Sequence, residues 1–107
     1  MINPRRSIIV FISGPYRAPT VKGVNLNIEH ARQVAIKLWQ EGFTVICPHL
    51  NTAHFDGLCE DYVWLESDIE IMKRCNAVYF LNTCQESVGA KAEREIALQM
   101  GLECIYE

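Results

Sequence analysis

Short apolar runs alternate with segments of helical periodicity along this chain of 107 residues. The first run, Ile8–Ile12, is continuous and rich in β-branched side chains, which is typical of a strand buried on both faces. From Asn27 the apolar residues recur every three or four positions until Gly42, which predicts an amphipathic helix capped by Asn27 and ended by Gly42. Parallel strands joined by helical crossovers produce this kind of alternation.

The alternation continues to the end of the chain. Further strands are predicted at Phe43–Cys47, Ala77–Leu81 and Leu102–Tyr106, and further helices from Asp61 to about Asn76 and from about Val88 to Met100. The intervening segment His49–Cys59 is polar and has no clear period, so we expect it to be a surface loop.

Right-handed crossovers between parallel strands give a three-layer α/β sandwich. We expect one domain over residues 1–107, with a parallel sheet of four or five strands in the flavodoxin-like order 2-1-3-4. In such a sheet the ligand crevice lies beyond the carboxyl ends of strands one and three, where the winding reverses. The loops Ser13–Arg17 and Asn82–Gly89 reach this crevice.

Composition and charge narrow the classes of partner. The net charge of −3 shows no basic excess, so a phosphate-neutralising surface for nucleic acid is not expected. No apolar run reaches the roughly 18 residues that a membrane span needs, and the first residues do not resemble a signal peptide. We therefore expect a cytoplasmic protein. The five cysteines lack C-x-x-C spacing, which argues against a disulfide framework or a zinc ribbon.

The loop after the third strand opens the last helix and forms a candidate anion site. Ser87 can accept a hydrogen bond from a first-turn N–H group, and Gly89 lets a ligand approach the backbone. Free amides and the helix dipole favour an anion there. Glu93 follows about two turns into the helix, where it could meet the reacting part of the ligand. The same pattern also fits an ordinary capped helix with a solvated Glu93.

Two carboxylates, Glu93 and Asp68, lie on the helices beside the predicted crevice, and Tyr16 is available to orient them. Glycosyl chemistry uses two carboxyl groups at an anomeric carbon, one as nucleophile or oxocarbenium stabiliser and the other as acid. When a nucleobase leaves, the acid must keep its proton through a raised pKa. Asp68 could equally be a solvated helix residue, like its neighbours Glu66 and Glu70.

Other chemistries of α/β folds do not match the spacing. The chain has no Walker A loop, no G-x-G-x-x-G fingerprint and no G-x-S-x-G nucleophile elbow. His49, His54 and Asp56 could supply metal ligands, but they lack a regular ligand spacing. A metal-dependent activity is therefore only a weaker alternative, and we expect no metal and no cofactor.

Three segments together resemble the nucleoside 2-deoxyribosyltransferase superfamily, which includes 2'-deoxynucleoside 5'-phosphate N-hydrolases and short bacterial and phage relatives. The segments are Ile12–Arg17, Asp68 eight residues before Asn76, and Ser87-x-Gly89-x-x-x-Glu93-x-x-x-Ala97-x-x-x-Gly101. The resemblance implies that Glu93 is the nucleophile, Asp68 the acid or a sugar contact, and Tyr16 the residue that positions the nucleophile. It selects Glu93 over the nearby Glu95.

The residues expected to bind substrate are Ser13, Gly14, Arg17, Ser87, Gly89 and Asn82. Of these, Ser87, Gly89 and Arg17 resemble the 5'-phosphate contacts of the hydrolase branch.

The resemblance implies an enzyme that cleaves the N-glycosidic bond of a 2'-deoxynucleoside or its 5'-monophosphate, by hydrolysis or by base transfer. It also implies a homodimer or a larger homo-oligomer, because the family shares sites between subunits. The alternative is a non-catalytic nucleotide-binding or interaction module on the same fold. Catalysis requires that the Tyr16 ring and the Glu93 carboxylate share one cleft.

Overall fold

The computed structural model describes residues 3–83 and 88–107. Within these ranges four parallel strands form one sheet, β1 (Ile9–Ser13), β2 (Thr44–Ile46), β3 (Ala77–Phe80) and β4 (Glu103–Tyr106). Their spatial order is β2-β1-β3-β4. The predicted parallel sheet and its 2-1-3-4 order are confirmed, and the part of the chain described holds no fifth strand.

The helices are α1 (Val21–Gln40), α2 (Pro48–Asn51), α3 (Asp61–Met72) and α4 (Val88–Gln99). One core lies between the sheet and α1, where Val10 and Ile12 pack with Ala31 and Leu38. A second core lies on the other face of the sheet, where Phe11 packs with residues of α3, β3 and α4. Successive β1 side chains point to opposite faces, so this strand contributes to both cores. The result is the expected three-layer α/β sandwich.

Helix α1 begins at Val21, six residues before the predicted start at Asn27. The N-cap is Thr20, whose Oγ1 accepts a hydrogen bond from the Gly23 amide at 3.1 Å. Asn27 lies inside the helix, and its Nδ2 donates to the carbonyl oxygen of Tyr16 at 3.1 Å. The predicted end is confirmed, because Gly42 follows the helix with a φ of 102°.

The segment predicted as a surface loop is partly structured and partly buried, so that prediction is wrong for its first residues. Pro48 stands in the first turn of α2, where its fixed φ suits the start of a helix. His49 is buried, and its Nε2 atom contacts the carbonyl oxygen of Pro15 at 3.0 Å. This partner is distant in sequence, so local periodicity could not have indicated it.

Among the described residues, no helix combines the length and the apolar character that crossing a membrane would require.

Candidate active site

The carboxyl ends of β1 and β3 open onto a cavity of about 530 Å³. The two strand ends are joined by a hydrogen bond from the Leu81 amide to the carbonyl oxygen of Ser13 at 2.9 Å. A Cβ atom at position 14 would lie 2.5 Å from Leu81 Cδ1, so Gly14 lets the loop after β1 pass over this buried side chain. Tyr16 and Glu93 both line the cavity and therefore share one cleft.

Glu93 lies on the cavity side of α4 and is only 6% exposed. The hydroxyl group of Ser13, at the end of β1, donates a hydrogen bond to Glu93 Oε1 at 2.8 Å. Burial, and to a lesser extent the charge of Asp68, raise the pKa of Glu93 to about 8 against the opposing effect of the Ser13 hydrogen bond. Glu93 is therefore not the solvated side chain of an ordinary amphipathic helix.

Asp68 projects into the same cavity from α3 and is half-buried. Burial raises its pKa to about 6. Its neighbour Glu70 is exposed and pairs with Lys73 and Arg74, so the pKa of Glu70 is lowered by their hydrogen bonds. The environment of Asp68 thus differs from that of a solvated carboxylate on the same helix. Glu93 and Asp68 form what is called below the carboxylate pair.

Tyr16 lines the cavity, but its hydroxyl group makes hydrogen bonds away from the carboxylate pair. It donates to Asp56 Oδ1 at 2.8 Å and accepts from the backbone amide of His54 at 2.7 Å. Burial and the hydrogen bond to Asp56 raise the pKa of Tyr16. The hydroxyl group that contacts Glu93 belongs to Ser13, which the sequence places among the substrate-binding candidates.

The remaining sequence-predicted residues are distributed around the cavity and beyond it. Gly14 and Gly89 line it directly. Arg17 also lines it, and its exposed guanidinium group forms an ion pair with Asp61. Asn82 is exposed and lies outside the described cavity lining. Its backbone amide donates to Glu107 Oε1 at 2.8 Å. Ser87 lies outside the described residues.

Two aromatic residues that sequence reasoning did not select, Phe55 and Trp64, also line the cavity. Their ring centroids are 6.3 Å apart and the rings are tilted by 57°. Phe55 comes from the segment after α2, which has no periodicity, and Trp64 looks like an ordinary apolar residue of α3. Their only sequence signal is that both side chains are aromatic. Phe55 and Trp64 are called below the aromatic wall.

His49 also lines the cavity, but its ring is tied to the protein backbone. Burial lowers its pKa, so the ring is neutral and its Nε2–H group donates to the Pro15 carbonyl oxygen. This nitrogen is not free to bind a metal. Over residues 3–83 and 88–107, no group of three or more His, Cys, Asp or Glu side chains is arranged to hold a metal ion.

Comparison with solved structures places the architecture in the class of deoxyribosyltransferase folds. The chain is similar to a 2-deoxyribosyltransferase from Bacillus psychrosaccharolyticus, with a TM-score of 0.71 and 14% sequence identity. The match covers 92% of this chain and 70% of that one. That enzyme has been characterised as a suitable biocatalyst for the industrial synthesis of antiviral and antitumoral nucleosides. At this identity the likeness concerns the fold, and the fold expected from the sequence resemblance is confirmed.

A family model described as a domain of unknown function (DUF4406) matches residues 8–106, and the chain belongs to this family. No curated protein matches the sequence.

Proposed function

We propose that the protein cleaves the N-glycosidic bond of a 2'-deoxynucleoside or its 5'-monophosphate. The observation that carries the proposal is the carboxylate pair, two acidic groups with raised pKa values in one cavity. The cavity volume of about 530 Å³ is within the range of small-molecule sites. The likeness to a deoxyribosyltransferase fold supports the same chemistry by analogy.

The carboxylate pair supplies the one proton that the reaction needs. Because the pKa values are about 6 for Asp68 and about 8 for Glu93, the pair holds one proton at neutral pH. The two carboxylates share that proton while the cavity is empty. As the substrate binds and reacts, the proton passes by way of Asp68 to the leaving base. Glu93 is therefore ionised when it attacks.

In the first chemical step, the Glu93 carboxylate forms a bond to C1' of the sugar. The C1'–N bond breaks, its electron pair goes to the base, and the base takes the proton of the pair. In the second step, water attacks C1', the bond to Glu93 breaks, and the proton released by water returns to the carboxylate pair. A second base in place of water gives transfer instead of hydrolysis.

Ser13 orients the nucleophile in this scheme. Its hydroxyl group donates to Glu93 Oε1 and thereby leaves Oε2 as the attacking oxygen. Because Ser13 is at the end of β1 and only 1% exposed, its hydroxyl group is held in a fixed position. The carboxylate therefore needs little reorganisation before it reacts.

The 5' substituent would lie at the amino end of α4, where Val88 and Gly89 line the cavity. Of the described lining residues, Arg17 is the single cation, and it is already paired with Asp61. The part of the cavity beside this paired Arg17 therefore suits the uncharged base better than a phosphate group. A free 5'-hydroxyl group and a 5'-phosphate both remain within the proposal, and their relative rates distinguish the two substrates.

The test is to incubate the protein with the four common 2'-deoxynucleosides and their 5'-monophosphates and to measure free base by chromatography. We expect release from at least one substrate, and transfer when a second base is added. The variant Glu93→Ala should lose at least about a thousandfold in rate. Glu95→Ala is the matched control, because Glu95 is an exposed carboxylate on the same helix and should have no effect.

Absence of release from all eight compounds would refute the catalytic proposal. If calorimetry then detected nucleotide binding that Glu93→Gln leaves intact, the protein would be a non-catalytic binding module.

A further inference from the structure

The aromatic wall is a partly exposed apolar surface inside the cavity that also holds the carboxylate pair. Phe55 is 47% exposed although it packs against Trp64, and both rings line the cavity. Large aromatic side chains bury well, so one left half open beside a cavity suggests a place for a flat apolar ligand surface. A nucleobase has such a surface, because each of its faces can stack on an aromatic ring.

Phe55 belongs to a segment without regular secondary structure. The residues on either side of it, His54 and Asp56, both form hydrogen bonds with the hydroxyl oxygen of Tyr16. The amide of His54 donates to Tyr16 Oη at 2.7 Å, and Tyr16 Oη donates to Asp56 Oδ1 at 2.8 Å. His54 has a φ of 61°, a left-handed conformation that is uncommon for residues other than glycine, although histidine adopts it more often than most. The Tyr16 hydroxyl group therefore fixes the short turn that presents Phe55 to the cavity.

We propose that Tyr16 is a positioning residue for the base subsite: it holds Phe55 against Trp64 so that the aromatic wall can receive an uncharged purine or pyrimidine ring. This inference rests on the proposed function for its choice of ligand. It gives Tyr16 a different task from that implied by the family resemblance, because the hydroxyl group bound to Glu93 is that of Ser13.

The two tasks have different kinetic signatures. If Tyr16 acts through the aromatic wall, Tyr16→Phe weakens base binding and raises KM, while kcat and its pH dependence stay nearly unchanged. If Tyr16 acted on Glu93, the same variant would lower kcat and shift the pH profile. Phenylalanine keeps the ring that packs near His49, so the variant removes the hydroxyl group alone.

Trp64 provides a direct probe of binding that does not depend on turnover. The chain has two tryptophans. Trp39 lies in a separate groove beside β2, where Arg6 stacks over its ring at 5.5 Å. In a Trp39→Phe background the tryptophan emission therefore reports on Trp64 alone. Adenine and thymine are titrated as free bases, and ribose 5-phosphate is the control that lacks a base.

We expect at least one base to quench Trp64 saturably and ribose 5-phosphate to have no effect. Tyr16→Phe and Phe55→Leu should each weaken binding about five- to tenfold, consistent with the loss of one stacking contact. The double variant should bind about as weakly as either single one, because both changes remove the same wall. Asp56→Ala, which removes the other end of the Tyr16 hydrogen bond at an exposed position, should weaken binding in the same direction.

The inference is overturned if neither base quenches Trp64, or if Tyr16→Phe binds both bases with unchanged affinity. Multiplicative losses in the double variant would also overturn it, since they would mean that the two residues act separately. Failure of the proposed function looks different: the bases would still bind in a Tyr16-dependent way, but no nucleoside would release its base.

Discussion

The carboxylate pair and the aromatic wall, two regions of the same cavity, are built in different ways. The carboxylate pair stands on α3 and α4, and Ser13 at the end of β1 contacts Glu93 directly. The aromatic wall depends on the irregular segment after α2, which hydrogen bonds to Tyr16 hold in place. The proposed reacting groups therefore stand on regular elements, whereas the proposed base subsite depends in part on a loop, where sequence can vary without disturbing the sheet.

The carboxylate pair and the aromatic wall also differ in their effect on the free energy of folding. Burying Glu93 in a site that raises its pKa to about 8 opposes folding whenever the unfolded chain would ionise this group. The aromatic wall carries no comparable charge, and its residues gain from removing apolar surface from water. A carboxylate kept at a costly position is more easily explained by catalysis than by structure.

The largest effect in this set distinguishes Asp68 from Glu70, two of the carboxylates on α3. Asp68→Asn should lower the rate of base release about a hundred- to a thousandfold, because it removes the group that passes the proton to the base. Glu70→Gln is the matched control on the same helix, and its exposed side chain should leave the rate unchanged. Steady-state kinetics on both variants would measure the difference. Equal rates for Asp68→Asn and Glu70→Gln would place Asp68 outside the chemistry.

The next effect is the pH dependence of the carboxylate pair. Below about pH 6 both groups are protonated and no nucleophile is available, while above about pH 8 both are ionised and no proton reaches the base. The profile of kcat/KM against pH should therefore be bell-shaped, falling about tenfold per pH unit on each side. Tyr16→Phe should retain this profile. A flat profile from pH 5 to 9 would contradict the shared proton.

Replacing the ionisable Glu93 side chain with its neutral amide should also stabilise the protein. The ordinary pKa of the Glu93 side chain is 4.5 and burial raises it, so the cost of ionisation is absent below about pH 4.5 and grows as the pH rises toward 8. Glu93→Gln should therefore raise the free energy of unfolding by about 3 kcal/mol at pH 7, at about 1.4 kcal/mol for each pH unit above the ordinary pKa. Urea unfolding at pH 7 and at pH 4.5 measures this, and at the lower pH the gain should nearly vanish. A variant less stable than wild type at pH 7 would contradict the burial cost.

The smallest expected effect concerns Asn82, which the sequence places in the substrate-binding set. Its side chain lies outside the described cavity lining, and the contact it makes to Glu107 uses the backbone amide. Asn82→Ala should therefore change kcat/KM less than about twofold, as expected for an exposed residue away from the site. A tenfold loss measured in the same assay would show that the loop after β3 reaches the substrate through this residue.

Periodicity was sufficient for the framework of the fold. Continuous apolar runs identified the buried strands, and crossover geometry then restricted the sheet to the order that the structure has. The position of the site followed from the same reasoning, because the switch point of a doubly wound sheet depends on strand order alone. This is why Tyr16 and Glu93 could be expected in one cleft before any contact was known.

Features that depend on single long-range contacts could not be predicted in this way. The early start of α1 depends on the Thr20 cap, within a stretch that Pro19 and Gly23 make look like a loop. The buried side chain of His49 contacts the carbonyl oxygen of Pro15, which is 34 residues away in the sequence. The Ser13 contact to Glu93 joins side chains 80 positions apart, and no local pattern records such a pair.

The most direct test of the central claim is to look for the sugar on Glu93. The protein is mixed with a 2'-deoxynucleoside that releases its base, quenched rapidly in acid, and analysed by intact mass and peptide mass spectrometry. We expect a deoxyribosyl adduct on the peptide that contains Glu93, present in Glu95→Ala and absent in Glu93→Gln. Base release with an adduct on another residue, or an adduct that persists in Glu93→Gln, would contradict the assignment of Glu93 as the nucleophile.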